Sequence, residues 1–463
     1  MVSRPGVDSA ALERDLAAIV GRANVLPGDT REYLRDETET RGVRGHADAV
    51  VLPASPDEVA AIVAWCYEHD VPIVPRGGGT GFAGGAVPVA GGVVLSLERL
   101  AAVRSFEPLL WRIWVEAGLT TGALRRIVRE SGLFFPPDPG AAEQSQIGGN
   151  IATNAGGPHA FKYGVTGAWV TGLEAVVPPG ELIAVGGPIR KDVAGYDLKS
   201  LLIGSEGTLG IVTAAWLRLL PAPETSYPVA AFYEGTAAGC RAIERVLGNG
   251  LVVAALEYLD AGTLAAAGAA FPGPLPAGAG FLVLAEADGS QREAGALREE
   301  VVGALGDEAL TVVAPGEPEF VRELWRWRDG VSIAVTAQRG GKVSEDIVVP
   351  LDRLAEAIER TVEIGRRHEL SACSWGHAGD GNLHSTFLVA PELPEELERA
   401  SRASEELFAL AAELGGSVSG EHGTGWVKRG QVRRQWAPKA IELMAAIKSE
   451  FDPKGLLNPG KKL

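Results

Sequence analysis

A chain of two packed units mixing α/β and α+β texture is what this sequence predicts, and three observations carry the prediction. From about residue 48 short β-branched runs alternate with helical patterns, as a sheet covered by helices requires. Near residue 222 the pattern stops at Pro221 and Pro223 and then begins afresh, which marks a boundary. Three glycine-rich stretches, 76–85, 136–157 and 204–213, fall before that boundary, too many to serve as turns alone. A length of 463 residues fits two or three domains at about 150 residues each.

The elements follow in order. Asp8 to about Gly21 reads as a capped amphipathic helix with Leu12, Leu16, Ala17 and Ile19 to Val20 near helical spacing. ADAVVLPAS is a strand, PDEVAAIVAWCYEHD a helix opened by Pro56, and VPIVPR a strand. GGVVLSL, WRIWVEAG, the TTGALRRIVRESG helix, VTGLEAVVPP and GTLGIVTAAWLRLLP complete the first unit. Beyond it YPVAAFYEG, TAAGCRAIERVLG, LVVAALEYLD, GAGFLVLAEAD, SQREAGALREEVVGALG and ALTVVAPG alternate again, and the stretch from Glu345 to Val389 is expected in the same sheet. A helix from about Pro438 to Glu450 stops at Asp452-Pro453.

Composition excludes several classes. The hydrophobic share is 46%, the charged share 22%, and Gly with Pro make about one residue in five, so disorder is not the main state. A net charge of -16 opposes a nucleic-acid partner, whose binding needs basic patches. Cys66, Cys240 and Cys373 are too few and too scattered for a disulfide framework or a four-cysteine iron–sulfur site. Glu13, Arg14 and Asp15 interrupt any signal-peptide core, and no run of about 18 apolar residues follows. The expected location is the cytoplasm, with membrane contact only at the surface through a partner.

Gly79-Thr80-Gly81-Phe82-Ala83-Gly84 satisfies G-x-G-x-x-G, with Glu98 near the distance of a ribose-binding acid. That fingerprint needs a helix after its last glycine, and AVPVAGGVV with Pro88 forms none. The loop instead offers successive backbone N–H groups that can converge on an anion.

Taken in order, PIVPRGGGTG, IGGNIATNAGG, KYGVTGAWVTGLEAVVP, RKDVAGYDLKSLLIGSEGTLGIVT and LLNPGK resemble the FAD-linked oxidases of the vanillyl-alcohol oxidase, PCMH-type superfamily over nearly the whole chain. The resemblance implies a two-subdomain FAD-binding domain over 1–221, an α/β substrate (cap) domain over 222–425 and a C-terminal helical segment, 426–463, returning to the flavin domain. It places FAD on Arg76, Gly77, Gly78, Gly79, Thr80 and Gly81. Pro137, Asp138, Gly148, Gly149, Thr153, Asn154 and Gly157 follow from the middle loop, then Glu206 and Ile211, with Asn458 nearing the isoalloxazine. Members that bond their flavin use a His in the first loop or a Cys in the second. Neither occurs here, so FAD is expected to be non-covalent.

Three of the seven histidines lie in two short strings, His377 and His384 in GHAGDGNLH and His422 beside Glu421 in SGEHGTG. The glycines let the side chains of each string reach one point. Two His and a carboxylate with an open position suit a catalytic Zn site, and Mn or Fe can use the same donors. Hydrogen-bonded loop histidines would have the same spacing. Both strings are similar to those of the D-2-hydroxyacid dehydrogenases, the group that oxidises D-lactate, glycolate and D-2-hydroxyglutarate. On that resemblance His377, His384 and Glu421 are metal ligands, His422 is the base, and Arg328 and Lys342 hold the substrate carboxylate. Thr386 stands at the substrate-binding position where the 2-hydroxyglutarate oxidisers carry Asn.

The implied reaction is oxidation of a small D-2-hydroxy acid to the 2-oxo acid, with the proton taken by an imidazole whose free pKa is about 6.5 and hydride passed to flavin N5. Electrons then leave to a separate acceptor: oxygen, a quinone, a cytochrome, an electron-transfer flavoprotein or an iron–sulfur subunit. A homodimer stays open. Two other readings are a metallohydrolase, which would not be yellow, and a non-catalytic, electron-transferring flavin subunit, which would hold no metal.

Overall fold

In the computed structural model, which describes residues 9–463, the chain divides into two compact units. The first comprises residues up to 155, 165–222 and 421–463; the second comprises 156–164 and 223–420. The expected helix start at Asp8 lies outside the described residues, and the helix runs Ser9–Val20 with Leu12, Leu16 and Val20 buried.

The first unit holds two main sheets. β1 (Val25–Pro27), β2 (Ala49–Val51), β3 (Ile73–Arg76) and β4 (Val93–Ser96) lie in the order β1-β2-β4-β3, with β4 parallel to both of its neighbours. Between β2 and β3 the helix Pro56–Glu68 is capped by Ser55, whose side chain accepts from the Glu58 N–H. It buries Val59, Ile62, Val63 and Cys66 against Val51, Val93 and Leu95, the helical stripe meeting the sheet.

The second sheet is formed by β5 (Val103–Glu107), β6 (Arg112–Glu116), β8 (Val170–Val177), β9 (Glu181–Gly186) and β10 (Ile211–Arg218), in the order β5-β6-β10-β8-β9. All its pairs are antiparallel; tight links join β5 to β6 and β8 to β9, while β10 comes from far along the chain to sit between β6 and β8. A small ribbon pairs β7 (Leu133–Phe134) with β11 (Leu220–Pro221).

The second unit is one antiparallel sheet of seven strands: β12 (Thr225–Tyr233), β13 (Ala255–Asp260), β14 (Phe281–Gly289), β15 (Thr311–Val313), β16 (Gly341–Val348), β17 (Ala372–His377) and β18 (Asn382–Val389). Their order is β15-β12-β14-β13-β17-β18-β16, so the two ends of the stretch 345–389 join this sheet, while Leu354–Arg367 between them is a helix. Val246, Leu305, Ile358 and Leu407, from four helices, pack on one face. Leu264, Leu324, Val331 and Val335, from the helices Ala261–Ala267 and Pro318–Ala337, pack on the other.

Two long helices were not foreseen. Pro318–Ala337 carries Gly330 and β-branched residues that dilute its helical pattern, while Pro394–Glu413 opens on a proline that fits a first turn. The division also differs from the expected limits. It falls between Gly420 and Glu421, and it takes 156–164 into the second unit. That nine-residue excursion is held there by His159 on Glu286 (3.1 Å), Lys162 on Asp288 (2.5 Å) and Tyr163 on Asp288, contacts with no sequence periodicity to announce them.

Candidate functional site

Sheet register gathers the chemistry of the second unit on one face. Directly opposed residues of an antiparallel pair point the same way, and the pairs Glu257–His377, Trp375–His384, His384–Asp346 and Thr386–Ser344 therefore share a face. Leu259 and Trp375 of that face pack with Trp327, Val331 and Val335, so the helix Pro318–Ala337 lies over it and brings Arg328 in.

Glu257 is fully buried and has two partners. Its Oε1 lies 2.5 Å from His377 Nδ1, and its Oε2 accepts from Arg328 Nε at 2.8 Å and from Nη2. Burial alone would raise its carboxyl, but Arg328 and His377 outweigh that and hold it at about 2. The His377 and His384 rings stand perpendicular with centroids 5.3 Å apart, across a turn in which Gly381 takes φ +66°.

Glu421 begins where the second unit ends. Gly420 donates its N–H to Asp346 Oδ2 at 2.9 Å, and Ser419 Oγ donates to Oδ1 at 3.1 Å, so the preceding backbone is pinned to the same face. One ligand atom from each of His377, His384 and Glu421 lies within 4.8 Å of the others. His422, like Glu421, sits in an irregular loop. Its Nε2 is 3.8 Å from Glu421 Oε1, and its ring packs on Phe82 at 4.7 Å. Lys342 donates to the Ser332 carbonyl at 3.0 Å and to its hydroxyl, over the Trp375 ring. Thr386 is fully buried and bonded to Ser344 Oγ at 2.8 Å.

In the first unit the 77–92 loop leaves the C-terminal end of parallel β3, where open sheets of this kind place ligands. No helix follows it, and Glu98 accepts from Tyr33 and Ser96. The three glycine-rich loops are tied together. Gly204 and Glu206 donate their N–H groups to Ile151 and Ala152, while Asn458 Nδ2 donates to the carbonyls of Gly85 and Glu206.

Two family models match this chain. "FAD linked oxidases, C-terminal domain" covers residues 222–462 and "FAD binding domain" covers 47–186. The glycolate oxidase subunit GlcD of Bacillus subtilis (strain 168) is 39% identical over 97% of this chain and 96% of its own. The D-lactate dehydrogenase of Anaerostipes hadrus is 32% identical over 94% of each. The chain belongs to the FAD-linked oxidases. It is an oxidoreductase, and the mitochondrial D-2-hydroxyglutarate dehydrogenase of Rattus norvegicus, 34% identical over 98% of this chain and 86% of its own, is a further relative. For the fold alone, a 4-ethylphenol oxidase from Gulosibacter chungangensis superposes with a TM-score of 0.81 at 19% identity, over 100% of this chain and 98% of its own.

The first unit of this FAD-linked oxidase fits the cofactor its family binds. A Cβ added at Gly149 would meet nothing closer than 4.0 Å, and one at Gly77 would meet Gly149 at 3.4 Å, so two bare backbones face each other across a narrow cradle. The buried Gln146 Oε1, which has no hydrogen-bond partner, lies 3.6 Å from that Gly77 position. Its amide turned over would present N–H to a phosphate. Asp36 Oδ2, also buried and unpartnered, lies 3.9 Å from a Cβ at Gly81. Neither residue stood out in the sequence, because each is polar without a motif.

Several expected contacts are committed elsewhere. The Arg76 guanidinium holds the carbonyls of Glu32 and Arg35. The Glu206 carboxylate accepts from the N–H groups of Thr424 and Gly425 and from Lys462. Asn154 Oδ1 accepts from Gly167, Thr153 bonds back to Gly149, and the Ile211 side chain lies in the core. Gly157, expected among the flavin contacts, belongs to the excursion into the second unit. Pro137 is buried, its carbonyl taken by Arg125, whose charge Asp138 supports. Backbone groups at these positions still line the loops.

Lys461 gives a pH prediction. Its buried Nζ donates to the carbonyls of Gly85 and Val87 and to Asn458 Oδ1. Desolvation pushes its pKa down to about 7 against the pull of Asp36 and Glu206. Between pH 7 and the unfolded value of about 10.4 the unfolded chain holds a proton that the folded one has released, so stability rises with pH through this window, by on the order of 3–5 kcal/mol in all. Urea unfolding from pH 6 to 10 should show that slope, and Lys461→Met should flatten it.

Proposed function

We propose that this FAD-linked oxidase converts a small D-2-hydroxy acid of the glycolate, D-lactate or D-2-hydroxyglutarate class into the 2-oxo acid, assisted by a divalent metal, Zn by preference. The observation that carries the reading is the His377, His384 and Glu421 cluster with Arg328 linked to it through Glu257. The activities for which the relatives are named support the substrate class.

The donor set fits a divalent cation: two imidazoles and one carboxylate, mostly buried, with the His377 Nδ1 side already engaged. A bound cation supplies Lewis acidity toward the substrate hydroxyl and carboxylate, and bound FAD supplies the hydride acceptor. Arg328 presents a planar fork to the carboxylate, and Lys342 adds a second positive charge. His422 takes the hydroxyl proton at Nε2, and the Phe82 ring limits its rotation. Thr386 offers a hydroxyl rather than an amide to the distal part of the substrate.

FAD is held without a covalent bond. The first loop has no His, the second has no Cys, and all three cysteines are buried. We take 1–221 with 426–463 as the flavin-binding part and 222–425 as the substrate part. A separate electron acceptor belongs to the proposal because Cys66, Cys240 and Cys373 are too few and too scattered to ligate an iron–sulfur cluster, and the word "subunit" in the GlcD relative's name fits a larger assembly. Among the described residues no helix is long and apolar enough to cross a membrane; a cytoplasmic location, or a membrane surface reached through a partner, completes the proposal.

Anaerobic mixing with a panel of D- and L-2-hydroxy acids tests it. Bleaching of the flavin by one or more D-acids and not by their L-partners is expected. A flavin that no D-2-hydroxy acid reduces would sink the reading.

A further inference from the structure

We propose that Glu257 is a positioning residue that couples metal binding to substrate-carboxylate binding. The inference rests on the metal reading above and goes beyond it in assigning work to a residue outside the ligand set.

The geometry divides its carboxylate between two tasks. Oε1 faces His377 Nδ1 at 2.5 Å and Oε2 takes both Nε and Nη2 of Arg328. With Nδ1–H donated to Glu257, His377 turns the lone pair of Nε2 outward, the tautomer a metal needs. The backbone supports the same assignment, since Glu257 and His377 are direct register partners across β13 and β17.

Simple charge pairing does not account for the arrangement. A buried Arg–Glu pair with no other role is commonly replaceable by apolar packing, and this face already packs Leu259, Trp327 and Val331. His377, a second partner on the same carboxylate, makes the pair a link. Whatever draws electron density from Glu257 through His377 changes what it offers Arg328, and the converse holds by reciprocity. Metal and substrate should therefore strengthen each other's binding through Glu257.

The test uses the flavin-loaded protein, wild type and Glu257→Gln, with zinc alone as the first probe. The glutamine can still accept from Nδ1–H but cannot balance Arg328. Chelator competition should show zinc affinity about 10–100-fold weaker, with the flavin-to-protein ratio unchanged. The visible band of the cobalt-loaded protein should shift, a signature that loss of stability alone would not produce. KM for the reducing hydroxy acid should rise, and its dependence on metal concentration should weaken to what direct contact of the metal with the substrate leaves.

Should Glu257→Gln fail to fold with Arg328 left unbalanced, the double variant Glu257→Gln/Arg328→Gln removes both charges and should show the same weakened zinc binding. Equal zinc affinity and an unshifted cobalt band in whichever variant folds, with wild type binding metal, overturn the assignment to Glu257 alone. A wild-type protein that binds no divalent metal overturns the metal reading, and this inference with it.

Discussion

His422→Ala is expected to slow flavin reduction by about 10²–10⁴-fold, the usual worth of a positioned base, while metal, FAD and substrate binding persist. Glu421→Ala, one residue away, is expected to lose metal and substrate affinity together. The contrast follows from where the two side chains lie. Glu421 offers its oxygen to the cluster with His377 and His384, whereas His422 packs on Phe82 and lies outside that set. Rising pH should restore rate to His422→Ala, because hydroxide can accept the proton that the imidazole no longer takes. It should not rescue Glu421→Ala, which has lost the group that acidifies the hydroxyl. Stopped-flow reduction of His422→Ala at the parent rate, with metal in place, would identify another residue as the base.

Gly149→Ala is expected to weaken FAD binding by about 10–100-fold, with the flavin-free protein as stable as wild type. The added methyl has room in the protein itself, 4.0 Å from its nearest neighbour, and the short helix Ile147–Thr153 tolerates alanine better than glycine. Only a ligand lying against the Gly77 and Gly149 backbones would feel it. Overpacking of about 1–3 kcal/mol there converts to that range of affinity. Gly78 cannot give so clean an answer, since its Cβ would fall 2.0 Å from the Gln144 carbonyl oxygen and displace the loop whether or not flavin is present. At Gly79 the obstacle is the Arg76 guanidinium, together with φ +69°. These clashes lie within the protein, where the sequence had suggested a phosphate. Flavin titration beside thermal unfolding of the flavin-free Gly149→Ala protein checks the prediction; unaltered affinity would take this cradle out of the site.

Local pattern was enough for most elements and for the residue types gathered at the site. The apolar stripe of Pro56–Glu68, the capping box at Ser290 and Glu293, and the β-branched runs of the seven-stranded sheet are short-range properties of the chain. The strings GHAGDGNLH and SGEHGTG likewise carry donors whose chemistry is intrinsic to histidine and glutamate. Strand partners were not legible, because pairing is decided by which surfaces bury each other over long separations, and the five-stranded sheet of the first unit accordingly proved antiparallel throughout. The partners of the charges were hidden for the same reason. Glu257 reads in LVVAALEYLD as an ordinary acid, and only the register that sets it opposite His377, with a helix some 70 residues later delivering Arg328, makes it the hinge of the site. Residue type thus determined which chemistry was available, whereas tertiary structure decided which groups share a buried volume, where the low dielectric makes their mutual attraction large enough to matter.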